Sequence, residues 1–171
     1  MTGGRPGPVL RRVLRAPAML DHWKLGWLLG RRFLVLTHIG RHSGRRHRTV
    51  LEVIGVEPAA GEVMVMAGFG RSSDWYRNLR AQEATEVVVG RRRFRPVHRE
   101  LDEQAAARVL AEYERRNRWL SPVIHRVLGA LVGWRYDGSE EARRRLVREL
   151  PIVAFRPAEA SGGAAHGEPV A

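Results

Sequence analysis

Two apolar runs joined by a basic, glycine-containing turn constrain the fold of this 171-residue chain more than any other feature. Residues 33–39 form one apolar run, and residues 48–56 form a second that is rich in β-branched side chains. Short apolar runs bounded by Gly and Ser are typical of buried β-strands. The stretch 33–56 therefore predicts a β-hairpin whose turn comprises residues 40–47.

The turn of this predicted hairpin is unusually cationic. Glycines permit a tight turn, and successive backbone N–H groups in such a turn can bind an anion. Guanidinium groups add forked donors that suit phosphate or carboxylate. The cationic and histidine side chains are Arg41, His42, Arg45, Arg46, His47 and Arg48. The turn therefore predicts a site for a small molecule that carries several negative charges.

The remaining patterns predict an α+β fold. Further strands are expected at residues 63–67, 85–89, 92–100 and 150–155, and most of them follow one another as hairpins. Helices are expected at residues 74–81, 102–117 and 121–132, with another that begins at Ser139. Ser73 and Ser121 are the expected N-caps of two of these helices. Antiparallel hairpins with helices inserted before the last strand favour a small barrel flanked by helices over a parallel sheet.

Composition narrows the classes of function. The net charge of +12 indicates an anionic partner, and the absence of cysteine excludes disulfides, thiolate metal sites and cysteine nucleophiles. His38, His42 and His47 share the hairpin, but the surrounding arginines would repel a divalent cation, so no metal is expected. No run of about 20 apolar residues could span a bilayer. We expect a cytoplasmic protein.

Three regions are expected along the chain: an N-terminal basic segment with an amphipathic helix (1–30), a barrel domain (31–157) and a disordered tail (158–171). The helix at residues 19–30 could rest on a membrane surface, close a pocket or cover the barrel. The glycines at positions 68 and 70 follow a strand, but a third glycine and a long crossover helix are missing, so a dinucleotide fold is rejected. Nucleic-acid binding stays an alternative because the chain is so basic.

Three motifs together resemble the deazaflavin-dependent nitroreductase family, whose members are split β-barrel proteins related to flavin-binding barrels. They are the turn at residues 40–44 with the following strand at 48–51, the segment 67–70, and the segment 74–79. The resemblance covers roughly residues 30–157. It implies a small antiparallel split β-barrel that binds coenzyme F420, a deazaflavin with a phosphate and an acidic oligoglutamate tail, in preference to FMN.

The resemblance also implies which residues contact the coenzyme. The phosphate and acidic tail would lie along Arg41, His42, Ser43, His47 and Arg48. The ring system would be lined by Thr49, Val50, Leu51, Met66, Ala67, Gly68 and Phe69. A further contacting segment would comprise Asp74, Trp75, Tyr76, Arg77 and Asn78, although core packing is an equal interpretation for Trp75.

The resulting hypothesis is an F420-dependent reductase that transfers a hydride to a small conjugated acceptor, such as a quinone or a nitroaromatic. No side-chain nucleophile is needed, so no catalytic residue is assigned. Tyr113, Tyr136 or water could donate a proton. The alternatives are a non-catalytic deazaflavin carrier and a basic protein that binds nucleic acid or a membrane surface. The protein is expected to be a monomer or a homodimer.

Overall fold

The computed structural model describes residue 30 and residues 32–158. The predicted N-terminal helix and the predicted tail therefore lie outside the described residues, apart from Gly30 and Ala158 at their margins. None of the described helices has the length and hydrophobicity that a bilayer crossing requires.

Seven antiparallel strands form one curved sheet in the order β5-β4-β1-β2-β3-β7-β6. β1 lies near the middle of this sheet, and each of its flanks is paired with another strand. The strands are β1 (Phe33–Ile39), β2 (Arg46–Glu57), β3 (Glu62–Met66), β4 (Glu86–Val89), β5 (Arg92–Phe94), β6 (Pro96–Glu100) and β7 (Ile152–Pro157).

The sheet bends at a bulge in its longest strand. β2 pairs with β1 along one half and with β3 along the other, and its register shifts between Val53 and Gly55. A side chain at position 55 would clash with Val109 Cγ1, 2.8 Å away, so glycine permits close packing here. β-Bulges of this kind increase local twist and turn barrel corners. The edge strands β5 and β6 are joined through Arg95, whose carbonyl oxygen accepts a hydrogen bond from the N–H of Ala158. The barrel is therefore nearly closed.

Among the described residues, four helices and two short 3₁₀ turns, Gly70–Ser72 and Arg118–Leu120, accompany the sheet. The helices are α1 (Asp74–Ala81), α2 (Glu103–Arg116), α3 (Ser121–Val132) and α4 (Glu140–Glu149). Asp102 and Ser139 cap α2 and α4, since their side chains accept hydrogen bonds from backbone N–H groups. The α+β antiparallel split barrel that was expected from the sequence is confirmed.

Two hydrophobic cores hold the elements together. The first fills the barrel, where Leu34, Leu36 and Phe155 are fully buried, and α1 closes it with Trp75 and Leu79. The second lies between the sheet and helices α2, α3 and α4, around Leu110, Leu146 and Ile152.

Two local predictions differ from the structure. The expected strand at residues 92–100 divides at Arg95 into β5 and β6, which form opposite edges of the sheet. Proline has no N–H for a ladder, so Pro96 is suited to begin a new edge strand. One of the two expected N-caps is also wrong: Ser121 is already helical, and Leu120 is the cap residue of α3. Ser73 occupies the expected cap position of α1, but its side chain forms no capping hydrogen bond.

Candidate functional site

The three segments that carry the sequence motifs lie at one end of the barrel. The β1–β2 turn forms that end, opposite Phe33 and Glu57. β3 runs antiparallel to β2, with Val65 opposite Val53, so the residues after Met66 follow β2 back toward the same turn. α1 then follows and is joined to the turn by hydrogen bonds. The turn and α1, which are bonded across 37 positions of sequence, thus form one surface with the segment after β3.

Asn78 fastens the cationic turn to α1. Its Oδ1 accepts hydrogen bonds from the backbone N–H of Arg41, at 3.1 Å, and from Arg41 Nη1, at 3.0 Å. Asp74 Oδ1 lies 3.3 Å from the same guanidinium nitrogen, and the Asp74 side chain is 85% exposed. The Arg41 guanidinium is therefore held in position by a neutral amide and by a solvated carboxylate that contributes little to the free energy of unfolding.

His38 extends this network into the barrel wall. Nδ2 of Asn78 donates a hydrogen bond to Nδ1 of His38, and Nε2–H of His38 faces Thr49 Oγ1 at 3.1 Å. The orientation of the amide follows from the two donors on its Oδ1, and it fixes His38 as the neutral Nε2–H tautomer. Burial lowers the pKa of His38, and the neighbouring His47 lowers it further, whereas Asp74 acts in the opposite direction.

Thr49 gains a defined role from this arrangement. Because its Oγ1 accepts from His38, its own hydroxyl proton can be donated to a different group. Thr49 is half-buried on β2, immediately after the exposed Arg48. From the sequence, His38 was considered only as a metal ligand, and the signal of this network was a pair of polar residues, Thr37 and His38, in an otherwise apolar strand.

The exposed part of the turn is rich in hydrogen-bond donors. His42, Ser43, Arg45, Arg46, His47 and Arg48 are all exposed. Ser43 Oγ lies 3.4 Å from His47 Nε2 and accepts a hydrogen bond from the N–H of Arg45. Within the described part of the chain, Arg45 and Arg46 form no ion pair. Glycine at position 40 allows this packing, since a Cβ there would lie 2.5 Å from Ser43 Oγ.

The other predicted contact residues differ in accessibility. Ala67, Trp75 and Tyr76 are buried, and Trp75 packs in the barrel core, which supports the core interpretation of that residue. Phe69, Asp74 and Arg77 are exposed. Thr49, Val50, Leu51, Met66 and Gly68 are half-buried.

Tyr76 belongs to a separate polar cluster on the other side of α1. Its hydroxyl donates to Glu100 Oε2 and accepts from Arg71 Nη1, while Arg71 also pairs with Glu100. Burial raises the pKa of Tyr76, and the Glu100 carboxylate raises it further. The tyrosine side chain therefore secures the α1 segment to β6, away from the cationic turn.

A large cavity lies at the opposite end of the barrel. It has a volume of about 550 Å³, and three arginines and three glutamates face it. They are Arg32, Arg92, Arg116, Glu52, Glu57 and Glu62. Arg32 already pairs with Glu52, and Arg116 donates to the carbonyl of Ile54. Equal numbers of arginines and glutamates make this cavity unsuitable for an oligoanion. The hydrogen-bond donors of the turn suit such a ligand better.

Both tyrosines considered as proton donors have carboxylate partners far from the turn. Tyr113 lines the large cavity and donates to Glu52 at 2.9 Å, and burial with this carboxylate raises its pKa to about 12. Tyr136 donates to the buried Glu114 at 2.6 Å, and its pKa is likewise raised, mainly by burial. Neither hydroxyl lies among the residues of the turn. No group of three metal-ligating side chains occurs among residues 32–158.

A split barrel with a donor-rich cationic turn at one end is an arrangement suited to an anionic cofactor or substrate. The model of the F420H(2)-dependent quinone reductase family matches residues 20–121, which is more than half of the chain. The chain therefore belongs to the F420H2-dependent quinone reductase family. It is an F420-dependent reductase, its cofactor is coenzyme F420, and it acts on a small molecule. The resemblance seen in the sequence is confirmed.

Several solved structures are similar to this chain. An F420-H2-dependent reductase is 20% identical, with a TM-score of 0.42, and the match covers 75% of this chain and 96% of that one. The heme storage protein HutZ from Vibrio cholerae is 11% identical, with a TM-score of 0.47 and coverage of 85% and 91%. An FMN-binding protein from Nostoc punctiforme, related to pyridoxamine 5'-phosphate oxidase, is 12% identical, with a TM-score of 0.40 and coverage of 88% and 81%. No curated protein matches the chain significantly.

Proposed function

We propose that the cationic turn binds the phosphate and acidic tail of coenzyme F420, and that the adjoining β2 and β3 segments line its ring system. The observation that carries this proposal is the fixation of Arg41 by Asn78, which holds one guanidinium beside a turn of exposed donors. The tail would contact Arg41, His42, Ser43, His47 and Arg48. Residues 49–51 and 66–69 would flank the ring.

The third predicted segment would act in two ways. Asp74, Arg77 and Asn78 would border the bound coenzyme, and Asn78 would keep Arg41 in place for the anion. Trp75 would hold the segment in place by packing in the barrel core, and Tyr76 would do so through its hydrogen bond to Glu100. The hydroxyl proton of Thr49, left available by His38, would be donated toward the coenzyme.

When it is bound in its reduced form, coenzyme F420 supplies a hydride. The chain's task is then to orient the coenzyme and to exclude water. We propose a quinone or a nitroaromatic as the acceptor. Its proton would come from water, because the hydroxyls of Tyr113 and Tyr136 are bonded to carboxylates elsewhere.

The other expectations stay predictions. A division into segments 1–30, 31–157 and 158–171, and a peripheral membrane contact through residues 19–30, depend on residues outside the described part of the chain. We also propose a cytoplasmic location and a monomeric or homodimeric state.

The experiment is a fluorescence titration of the full-length protein with oxidised coenzyme F420, with FMN as the control ligand. Arg41→Ala and Arg48→Ala should each weaken binding about tenfold, since each removes a charge-assisted contact. Arg108→Ala is the matched control, because Arg108 is exposed on α2. Equal losses in all three variants would show general attraction by the net charge. Unchanged binding in the two turn variants would reject the proposed site.

A further inference from the structure

An exposed apolar stripe follows the short 3₁₀ turn at residues 118–120 and helix α3. Trp119 is 75% exposed, Val123 is 57% exposed and Val127 is 37% exposed. These residues are four positions apart, so they lie along one side of the helix. Pro122 and Ala130 are exposed beside them. An adjacent side of α3 is anchored in the second core by Ile124 and Leu128.

The sequence of this stripe contains arginines but no acidic residue. No Asp or Glu occurs between Arg115 and Tyr136, whereas Arg118 and Arg126 lie on or beside the stripe and are exposed. Within the described residues neither guanidinium forms an ion pair. A tryptophan, aliphatic side chains and arginines on one helical face are the composition of helices that lie in the interface of an anionic bilayer.

The C-terminal end of the stripe lies beside the predicted coenzyme site. Exposure decreases along α3, and Leu131, four residues after Val127, is half-buried. A Cβ at position 68 would lie 3.8 Å from Leu131 Cδ1, so the last turn of α3 borders the segment after β3. The exposed Phe69 belongs to the same segment.

We propose that the face formed by Trp119, Val123 and Val127, with Arg118 and Arg126, docks on a membrane surface that contains anionic lipid. The apolar side chains enter the interface, and the two arginines pair with lipid phosphates. This orientation brings the segment at residues 67–69 close to the bilayer, from which a lipophilic acceptor can be drawn. That last step rests on the proposed function, whereas the docking itself does not.

The test is flotation of the full-length protein, without coenzyme, on phosphatidylcholine vesicles with and without phosphatidylglycerol. The wild type should float with the anionic vesicles only. Trp119→Ser with Val123→Ser, and separately Arg118→Glu with Arg126→Glu, should each weaken binding about tenfold or more. The matched controls are Val56→Ser and Arg108→Glu, which change an exposed valine and an exposed arginine elsewhere and should bind like the wild type.

Four outcomes would overturn the proposal. The wild type could fail to float, or it could float equally with neutral vesicles. The α3 variants could float like the wild type, which would assign any binding to another surface such as residues 1–29. Light scattering could instead show a wild-type dimer that both sets of α3 substitutions dissociate, which would make the face an interface between copies. Coenzyme titration of the same variants keeps a failure of docking separate from a failure of the proposed cofactor site.

Discussion

Asn78 on α1 and His38 on β1 are joined by a hydrogen bond of 3.0 Å across 40 positions of sequence. Both side chains are buried. The same amide also holds two donors of Arg41, so one side chain connects the barrel wall, the cationic turn and the helix. The geometry of the proposed anion site therefore depends on Asn78, whether or not Asn78 itself contacts the anion.

Replacement of Asn78 by Leu should destabilise the protein. The change leaves the buried Nδ1 of His38 without its donor, which costs about 1–3 kcal/mol, and the partly buried N–H of Arg41 also loses its partner. We expect the free energy of unfolding in urea to fall by about 2–4 kcal/mol. Gln82→Leu is the matched control, because this amide is exposed just after α1 and should change the value by less than about 0.5 kcal/mol. Equal effects would refute the role given to Asn78.

The lowered pKa of His38 predicts a pH dependence of stability. In the unfolded chain this histidine binds a proton as the pH falls below about 6.5, whereas in the folded state it does so only at lower pH. The unfolded state then binds more protons, so the free energy of unfolding should decrease as the pH falls through this window. His38→Gln should show a weaker decrease between about pH 7.5 and pH 5. His42→Gln, which changes an exposed histidine of the turn, is the matched control.

The sequence was sufficient for the parts of the fold that depend on local pattern. The apolar run at residues 33–39 became a central strand, and the Asp102 and Ser139 caps began their helices as expected. The division of residues 92–100 was missed because alternation along a strand does not reveal which partner strand lies beside it. β5 and β6 lie at opposite edges of the sheet, and the curvature of the barrel brings these edges together at Arg95.

The site was predictable where charge is concentrated and unpredictable where it depends on long-range contacts. The glycine and arginine pattern of the turn could be recognised in the sequence. The bonds from Asn78 to His38 and Arg41 were not, because their partners lie about 40 positions apart. For Trp75, the sequence left core packing and cofactor contact as equal interpretations, and burial in the barrel core supports the first.

Asp74→Asn should strengthen coenzyme binding if the proposed site is correct. The Asp74 carboxylate lies 3.3 Å from the Arg41 guanidinium and would repel an acidic tail. Because the side chain is 85% exposed, water screens it, and we expect a gain of only about two- to threefold in affinity at low salt. Glu141→Gln, an exposed acid in the first turn of α4, is the control. Weaker binding by Asp74→Asn would contradict this prediction and would mean that the carboxylate supports the site, by contacting the coenzyme or by holding Arg41 in position.

Gly70 should tolerate substitution less well than Gly133, another glycine with positive φ. Its φ is +61°, and a Cβ would lie 2.8 Å from the backbone oxygen of Glu149. Gly133 has a φ of +78° with open space around it. Gly133→Ala should cost about 1 kcal/mol of unfolding free energy through strain alone, and Gly70→Ala about 2–4 kcal/mol. If thermal unfolding gave equal shifts for both variants, the contact with Glu149 would be unimportant.

Glu114 anchors the helices that carry the proposed docking face. This buried carboxylate accepts hydrogen bonds of 2.6 Å from Arg143 on α4 and from Tyr136, and His125 of α3 lies 3.6 Å away. Removal of one partner from a buried ion pair leaves a charge without compensation and typically costs about 3–5 kcal/mol. Because the Arg143 side chain is 25% exposed, we expect Arg143→Met to lower the free energy of unfolding by about 2–4 kcal/mol.

The neighbouring arginine supplies the control for this prediction. Arg144 pairs with Glu140 on the exposed side of α4, four residues away, so Arg144→Met should cost only about 0.3–0.5 kcal/mol. Urea unfolding of both variants measures the difference. A change of both Glu114 and Arg143, to Gln and Met, should recover part of the loss, because the uncompensated charge is then absent. A double variant less stable than Arg143→Met would instead show that Glu114 stabilises the helices chiefly through Tyr136 and His125.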